Sequence, residues 1–116
     1  WGPLKRDLTL IEPICQGSII RYTNATHQDR DRILFSNPAS TTDRAKMTIR
    51  LSYDEGESWV ISKLIHEGPS AYSDLAVLPE GEIACFHECG KAHPYEKITL
   101  TSFDLSWLTD GEDVFK

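Results

Sequence analysis

Short runs in which Ile, Val, Leu, Thr and aromatic residues alternate with polar ones recur along the chain, and each stops at Gly, Pro, Asn or Asp. A period of two marks a strand with one buried face, and strands at regular short spacing without helical crossovers predict antiparallel hairpins. Seven strands are expected, at Ser18 to Tyr22, Ile33 to Ser36, Lys46 to Ser52, Trp59 to Leu64, Ser73 to Leu78, Ile83 to Glu88 and Lys97 to Phe103. Between them Asn24 to Asp31, Asn37 to Asp43, Asp54 to Glu57, Glu67 to Ser70, Pro79 to Glu82 and Cys89 to Pro94 read as turns or loops. Residues 1 to 16 hold Pro3 and Pro13 without alternation and read as an irregular lead-in. In the tail, residues 104 to 116, one helical turn is expected at Leu105 to Leu108, stopped by Asp110-Gly111. The fold class is therefore all-β, a sandwich, a barrel or propeller blades. Seven strands make nearly two four-stranded blades, whose uncovered faces and edges call for the rest of a propeller or for a partner chain.

Length and charge narrow the function. A chain of 116 residues suits one small domain or part of a larger one, and its opening at Trp1-Gly2-Pro3 reads as the interior of a longer protein. Twelve Lys and Arg against 18 Asp and Glu leave a net charge of −6, which argues against nucleic acid or an anionic membrane as partner. It leaves room for an anionic small ligand held by a local arginine. No apolar run approaches the roughly 20 residues of a membrane-spanning helix. Cys15, Cys85 and Cys89 are too few for a disulfide scaffold and assign no compartment. Cys85, His87, Cys89 and His93 crowd together, but a Cys-x3-Cys pair without a second knuckle is a weak zinc signal. No metal or cofactor is expected.

The most specific local feature is Ser52-Tyr53-Asp54-Glu55-Gly56-Glu57-Ser58-Trp59, which fits Ser-x-Asp-x-Gly-x-x-Trp. A hairpin accounts for those residue types. Asp54 accepts from turn amides, Gly56 takes positive φ, and Trp59 packs under the turn from the outgoing strand. This pattern is the Asp box of sialidases and other β-propellers, so Ser52, Asp54, Gly56 and Trp59 are expected to be structural. Glu67-Gly68-Pro69-Ser70-Ala71-Tyr72-Ser73 follows, a turn that feeds Tyr72 into the mouth of a strand. Cys15-Gln16-Gly17-Ser18, Ser36-Asn37-Pro38, Arg44, His87-Glu88 and Tyr95-Glu96-Lys97-Ile98-Thr99 complete an ordered series. Together these motifs resemble the C-terminal part of the catalytic domain of bacterial exo-α-sialidases, over nearly the whole chain.

The resemblance implies part of a six-bladed β-propeller, incomplete in this chain, with about two blades present. It also implies a site. Sialidases replace the usual carboxylate nucleophile of glycosidases by tyrosine, because sialic acid carries a carboxylate on its anomeric carbon and a charged nucleophile would meet like charge there. A phenol of reference pKa near 10 then needs a glutamate base nearby. Tyr72 matches the nucleophile. The substrate carboxylate calls for planar, permanently charged donors, and Arg44 matches the last of the family's three arginines. Arg21 and Arg50 compete for that role, but Arg50 lies inside a strand and is expected to point outward. Glu88 matches a glutamate that orients another arginine of the triad, although His87 stands where the family commonly has Tyr. Asp74 is expected to be structural, and the acidic run Asp110 to Asp113 to be a solvated terminus.

No stretch matches the family's first two arginines, its acid/base aspartate or the glutamate that activates the tyrosine. The resemblance thus implies a retaining exo-α-sialidase acting on terminal sialic acid of glycoproteins, glycolipids or oligosaccharides, with this chain inactive alone. A trans-sialidase would use the same residues. The non-enzymatic alternative is an Asp-box propeller that binds sialylated glycans. A secreted, periplasmic or cell-surface location follows only from the family.

Overall fold

The computed structural model describes all residues 1 to 116. Six strands run in chain order, each antiparallel to the next: β1 (Ser18–Thr23), β2 (Arg32–Pro38), β3 (Ala45–Ser52), β4 (Ile61–Val77), β5 (Ile83–Cys89) and β6 (Lys97–Phe103). A one-turn helix, α1 (Leu105–Leu108), follows, its N-terminus capped by the Asp104 carboxylate, which accepts from the Trp107 N–H. Residues 1 to 17 contain neither helix nor strand.

Strand β4 is the organising element. Its first half pairs with β3, from Leu51↔Ile61 to Ala45↔Pro69, and its second half pairs with β5, from Ser70↔Cys89 to Val77↔Ile83. The chain therefore builds a four-stranded sheet followed by a three-stranded one, joined through a single 17-residue strand. This corrects the expected count. The Trp59 to Leu64 and Ser73 to Leu78 runs are the two halves of one strand, and Glu67 to Ser70 is not a turn. Gly68-Pro69 reads locally as a break, yet the missing Pro69 N–H costs nothing where the chain changes partner. The Pro69 carbonyl accepts from Gly90, and Ser70 donates to the Arg44 carbonyl at 2.8 Å, so pairing continues through the crossover.

The core lies between the two sheets. Tyr22, Leu34, Ile49 and Leu51 from the first meet Leu75, Ile83, Cys85 and Phe103 from the second, and α1 adds Leu105 and Leu108. Alternation explains the selection: in β2 Arg32, Leu34 and Ser36 are buried while Ile33 and Phe35 are half-buried on the other face. Each aliphatic side chain removed from water here contributes about 1.5–3 kcal/mol.

In the tail Asp110, Gly111 and Glu112 are exposed as expected, but Asp113 is not solvated, which corrects a second expectation. Arg32, with no exposed side-chain surface, donates to both oxygens of Asp113 at 2.7 and 2.8 Å, to both oxygens of Asp29 at 2.8 and 3.0 Å, and to Thr23 Oγ1. Tyr53 Oη also donates to Asp113, at 2.8 Å. Nearby, the Phe115 and Tyr22 rings pack 5.8 Å apart. A buried guanidinium has to be neutralised and fully hydrogen-bonded, and the tail is folded back to supply one of its two carboxylates.

Candidate functional site

Tyr72 lies inside β4, immediately after the crossover, and its side chain is 51% exposed. Four residues of β4, from Ser70 to Ser73, oppose three of β5, from Cys89 to His87. That extra residue is a β-bulge, a device that re-aims a side chain. Its mark in the burial pattern is that Ser70 and Ala71 are both fully buried, after which Tyr72 turns outward. The bulge leaves the Tyr72 N–H without a ladder partner, and Glu88 Oε2 accepts it at 3.0 Å.

Arg44 reaches the same place from the loop before β3. Its guanidinium lies 5.6 Å from the centre of the Tyr72 ring, within the range of a cation–π contact. Nη1 donates to Tyr95 Oη and Nη2 to the Ile14 carbonyl, both at 2.8 Å. A guanidinium has five N–H groups, so three of them make no hydrogen bond within this chain. The hydrogen bond with Tyr95 holds the Arg44 pKa above its ordinary value. Tyr95 is itself placed by a tight loop. Glu96 accepts from the Lys91 and Ala92 amides, and a Cβ on Gly90 would come within 2.0 Å of the His93 carbonyl oxygen.

The other candidate residues are elsewhere. Arg21 makes a two-pronged ion pair with Glu55, with Asp31 at 3.4 Å. Arg50 lies on the face of β3 away from the core residues Ile49 and Leu51, yet is half-buried rather than solvated. Its Nε is buried without a partner, and burial lowers its pKa. Asp74 sits mid-strand and accepts from Ser18 Oγ at 3.2 Å. Glu88 makes no ion pair with an arginine of this chain. A concavity of about 450 Å³ opens beside Tyr72, lined by Gln16, Asp74, Phe86, Glu88 and Ile98. Arg44 is not on its wall, and a carboxylate would meet no permanent cation there.

Asp54 accepts from Ser52 Oγ and the Ser58 N–H at 2.8 Å and from Ser58 Oγ at 2.6 Å, and these bonds hold its pKa below the ordinary carboxylate value. Gly56 has φ +87°, and the Trp59 ring lies beneath it, stacked at a tilt on Phe35. Trp59 Nε1 donates to Asp7 of the lead-in at 3.0 Å.

No three of the Cys and His side chains converge as metal ligands. Cys89 Sγ instead meets Thr99 Oγ1, and the Cys85 thiol is pushed up to about 12 by burial. His87 is buried, with Nε2 on Thr101 Oγ1 at 3.1 Å, Nδ1 without a partner, and the His66 ring centre 6.4 Å away. Burial first, and then His66, lowers its pKa. The unfolded chain therefore binds this proton more readily than the folded one. The stability contribution is complete above about pH 6.5 and is lost as pH falls through the lowered folded-state value. Denaturation curves between pH 7.5 and 5 are expected to show this loss, and His87→Asn to flatten it. An equal slope in the variant would exclude His87 as its source.

No protein-family model matches the chain. It is 37% identical over 111 residues to a sialidase of Micromonospora viridifaciens, covering 93% of this chain and 16% of that protein. It is 30% identical over 127 residues to an exo-alpha-sialidase of Aspergillus fumigatus, covering 96% of this chain and 30% of that one. The chain fits the sialidase family. Among solved structures, the Hadza microbial sialidase Hz136 superposes with a TM-score of 0.75 at 33% identity, over 86% of this chain and 19% of that one. A leech intramolecular trans-sialidase, solved with 2,7-anhydro-Neu5Ac, shares the fold with a TM-score of 0.68 at 23% identity, over 83% and 17%. The six antiparallel strands thus form part of an incomplete sialidase propeller. The chain spans less than a third of the length of these sialidases.

Tyr95 and Gln16 fall within family-like stretches, but their contacts at the site are not legible in the sequence. Tyr95 and Arg44 are 51 positions apart, and nothing local pairs them. Gln16 falls within a family-like stretch but has no side-chain signal of its own, because its partners, Gly17 apart, are backbone atoms 57 residues away.

Proposed function

We propose that this chain carries the nucleophile and one carboxylate-binding arginine of a retaining exo-α-sialidase. The observation that carries the reading is the meeting of Tyr72 and Arg44 at one edge, with the guanidinium over the phenol ring and three of its N–H groups free. A sialoside seated with its carboxylate on Arg44 brings its anomeric carbon toward Tyr72, and the neutral phenol attacks where a carboxylate would be repelled. Tyr72 Oη forms a bond to the anomeric carbon as the glycosidic C–O bond breaks. The phenolic proton goes to a glutamate, and the departing oxygen takes a proton from an aspartic acid, both supplied by the larger protein. Water, deprotonated by that aspartate, then attacks the anomeric carbon as the sialyl–tyrosine bond breaks, the tyrosine oxygen takes its proton back from the glutamate, and two inversions give net retention. A sugar hydroxyl in place of water would make the reaction a trans-sialylation. Terminal sialic acid on glycoproteins, glycolipids or oligosaccharides is the substrate class, and Glu88 supports the site by holding the Tyr72 amide.

The test is hydrolysis of a fluorogenic α-sialoside by the longest natural protein containing this chain, by the isolated chain, and by an Arg44→Lys variant of the long protein. The long protein is expected to turn over and the isolated chain not to. Arg44→Lys should raise KM on the order of tenfold, because lysine cannot present two parallel donors. A folded long protein that binds sialosides without hydrolysing them would replace the enzyme by a glycan-binding propeller.

A further inference from the structure

The lead-in fastens the strand that carries Tyr72. The N–H groups of Ser73 and Leu75 point to the open edge of β4, away from β5, and an open edge leaves such groups without ladder partners. Gln16 supplies them at Ser73: its Oε1 accepts from the Ser73 N–H at 3.1 Å, and its Nε2 donates to the Ser73 carbonyl at 3.0 Å. One primary amide thereby imitates a neighbouring strand. Two residues on, Ser18 Oγ accepts from the Leu75 N–H at 3.1 Å. On the opposite edge the Tyr72 N–H is held by Glu88, so the bulge is gripped from both sides. The same lead-in reaches Arg44, through the Ile14 carbonyl, and Ile14 holds a φ of +56°. That conformation is rare for a β-branched residue, and it stands where one short segment meets both parts of the site.

We propose that Gln16 is a positioning residue for Tyr72, setting through the Ser73 backbone the distance at which the phenol stands from Arg44. The proposal rests on the reading of Tyr72 as nucleophile. Gln16 is exposed, and its loss opens no core cavity. Its effect should fall on the geometry of attack, where displacements of an ångström change rates by up to about a hundredfold.

The experiment uses the longest natural protein containing this chain, with the parent, Gln16→Met, Gln16→Ala and Tyr72→Phe assayed on a fluorogenic α-sialoside beside thermal melts. Gln16→Met keeps the length of the side chain and removes both bonds to Ser73. It is expected to lower kcat about tenfold with KM within about twofold of the parent, and to speed amide exchange at Ser73. Should the Met variant not fold, Gln16→Ala carries the same comparison. Parent-like kcat in a folded Gln16 variant overturns the proposal even if the melting temperature falls, because that marks a structural role only. A raised KM at parent kcat overturns it too, by assigning Gln16 to substrate binding. If Tyr72→Phe is inactive while the Gln16 variants are parent-like, only the positioning role fails. If Tyr72→Phe keeps the parent's kcat, the nucleophile reading fails and the proposal with it.

Discussion

Replacing Tyr72 by Phe in the long protein is expected to lower kcat for sialoside hydrolysis on the order of 10³-fold or more, about 4 kcal/mol of transition-state stabilisation, with little change in stability. The two halves of that expectation come from separate observations. Phenylalanine keeps the ring under the Arg44 guanidinium but removes the one oxygen able to bond to the anomeric carbon. The side chain is half-exposed, and the hydroxyl makes no hydrogen bond to another group of this chain, so its removal leaves no buried partner unsatisfied. Exposed substitutions of that kind stay within about 0.5 kcal/mol. Initial rates and melting temperatures measured on the same samples check both halves. A catalytic loss together with a parent-like melt separates a nucleophile from a packing residue. Undiminished turnover would remove Tyr72 from the chemistry.

The largest expected effect on stability lies at the other end of the molecule. Arg32→Met should destabilise the fold by about 3 kcal/mol or more near neutral pH. The methionine fills most of the space, so the effect is not a cavity. It arises because Asp113, 11% exposed, loses its cation while still accepting only from Tyr53 Oη and the neighbouring backbone region. In the parent, Arg32 holds the Asp113 carboxyl below its ordinary pKa, despite burial, and holds Asp29 at about 2. For such depressed carboxylates the stabilising contribution is present above their unfolded value near 3.8 and is lost as pH falls through the folded value. Without Arg32 the sign reverses for Asp113, whose buried carboxylate then favours its protonated form. The gap between parent and variant is therefore expected to narrow between pH 7 and pH 3 in chemical denaturation. A gap independent of pH would attribute the loss to packing rather than to charge.

Local chemistry made much of this protein legible from its residues. The alternation in Lys46 to Ser52 and in Lys97 to Phe103 becomes β3 and β6, the latter with those same bounds, because a half-buried pleat needs period two. Asp104 ahead of Leu105 to Leu108 forms a capped turn, because an Asp carboxylate satisfies a free helical N–H wherever that sequence occurs. Ser52 to Trp59 forms its hairpin for the same kind of reason, since its bonds close within four residues. Tyr72 and Arg44 stand out only through the family-like motifs around them, where they match the nucleophile and the last arginine of sialidases. Tertiary structure decided the rest. Gly68-Pro69 reads as a turn until β3 and β5 offer partners on either side, and those partners lie some twenty residues away in both directions. Asp113 reads as a solvated acid until Arg32, 81 positions earlier, needs a counter-ion. Arg50 and His87 look like ordinary strand residues until packing closes over one polar atom of each. The bulge that turns Tyr72 outward, the Tyr95 hydroxyl on Arg44 and the Gln16 clamp on Ser73 all depend on strand register and chain crossing. Those are set by which faces bury together, and a residue's own neighbours in sequence carry no record of that.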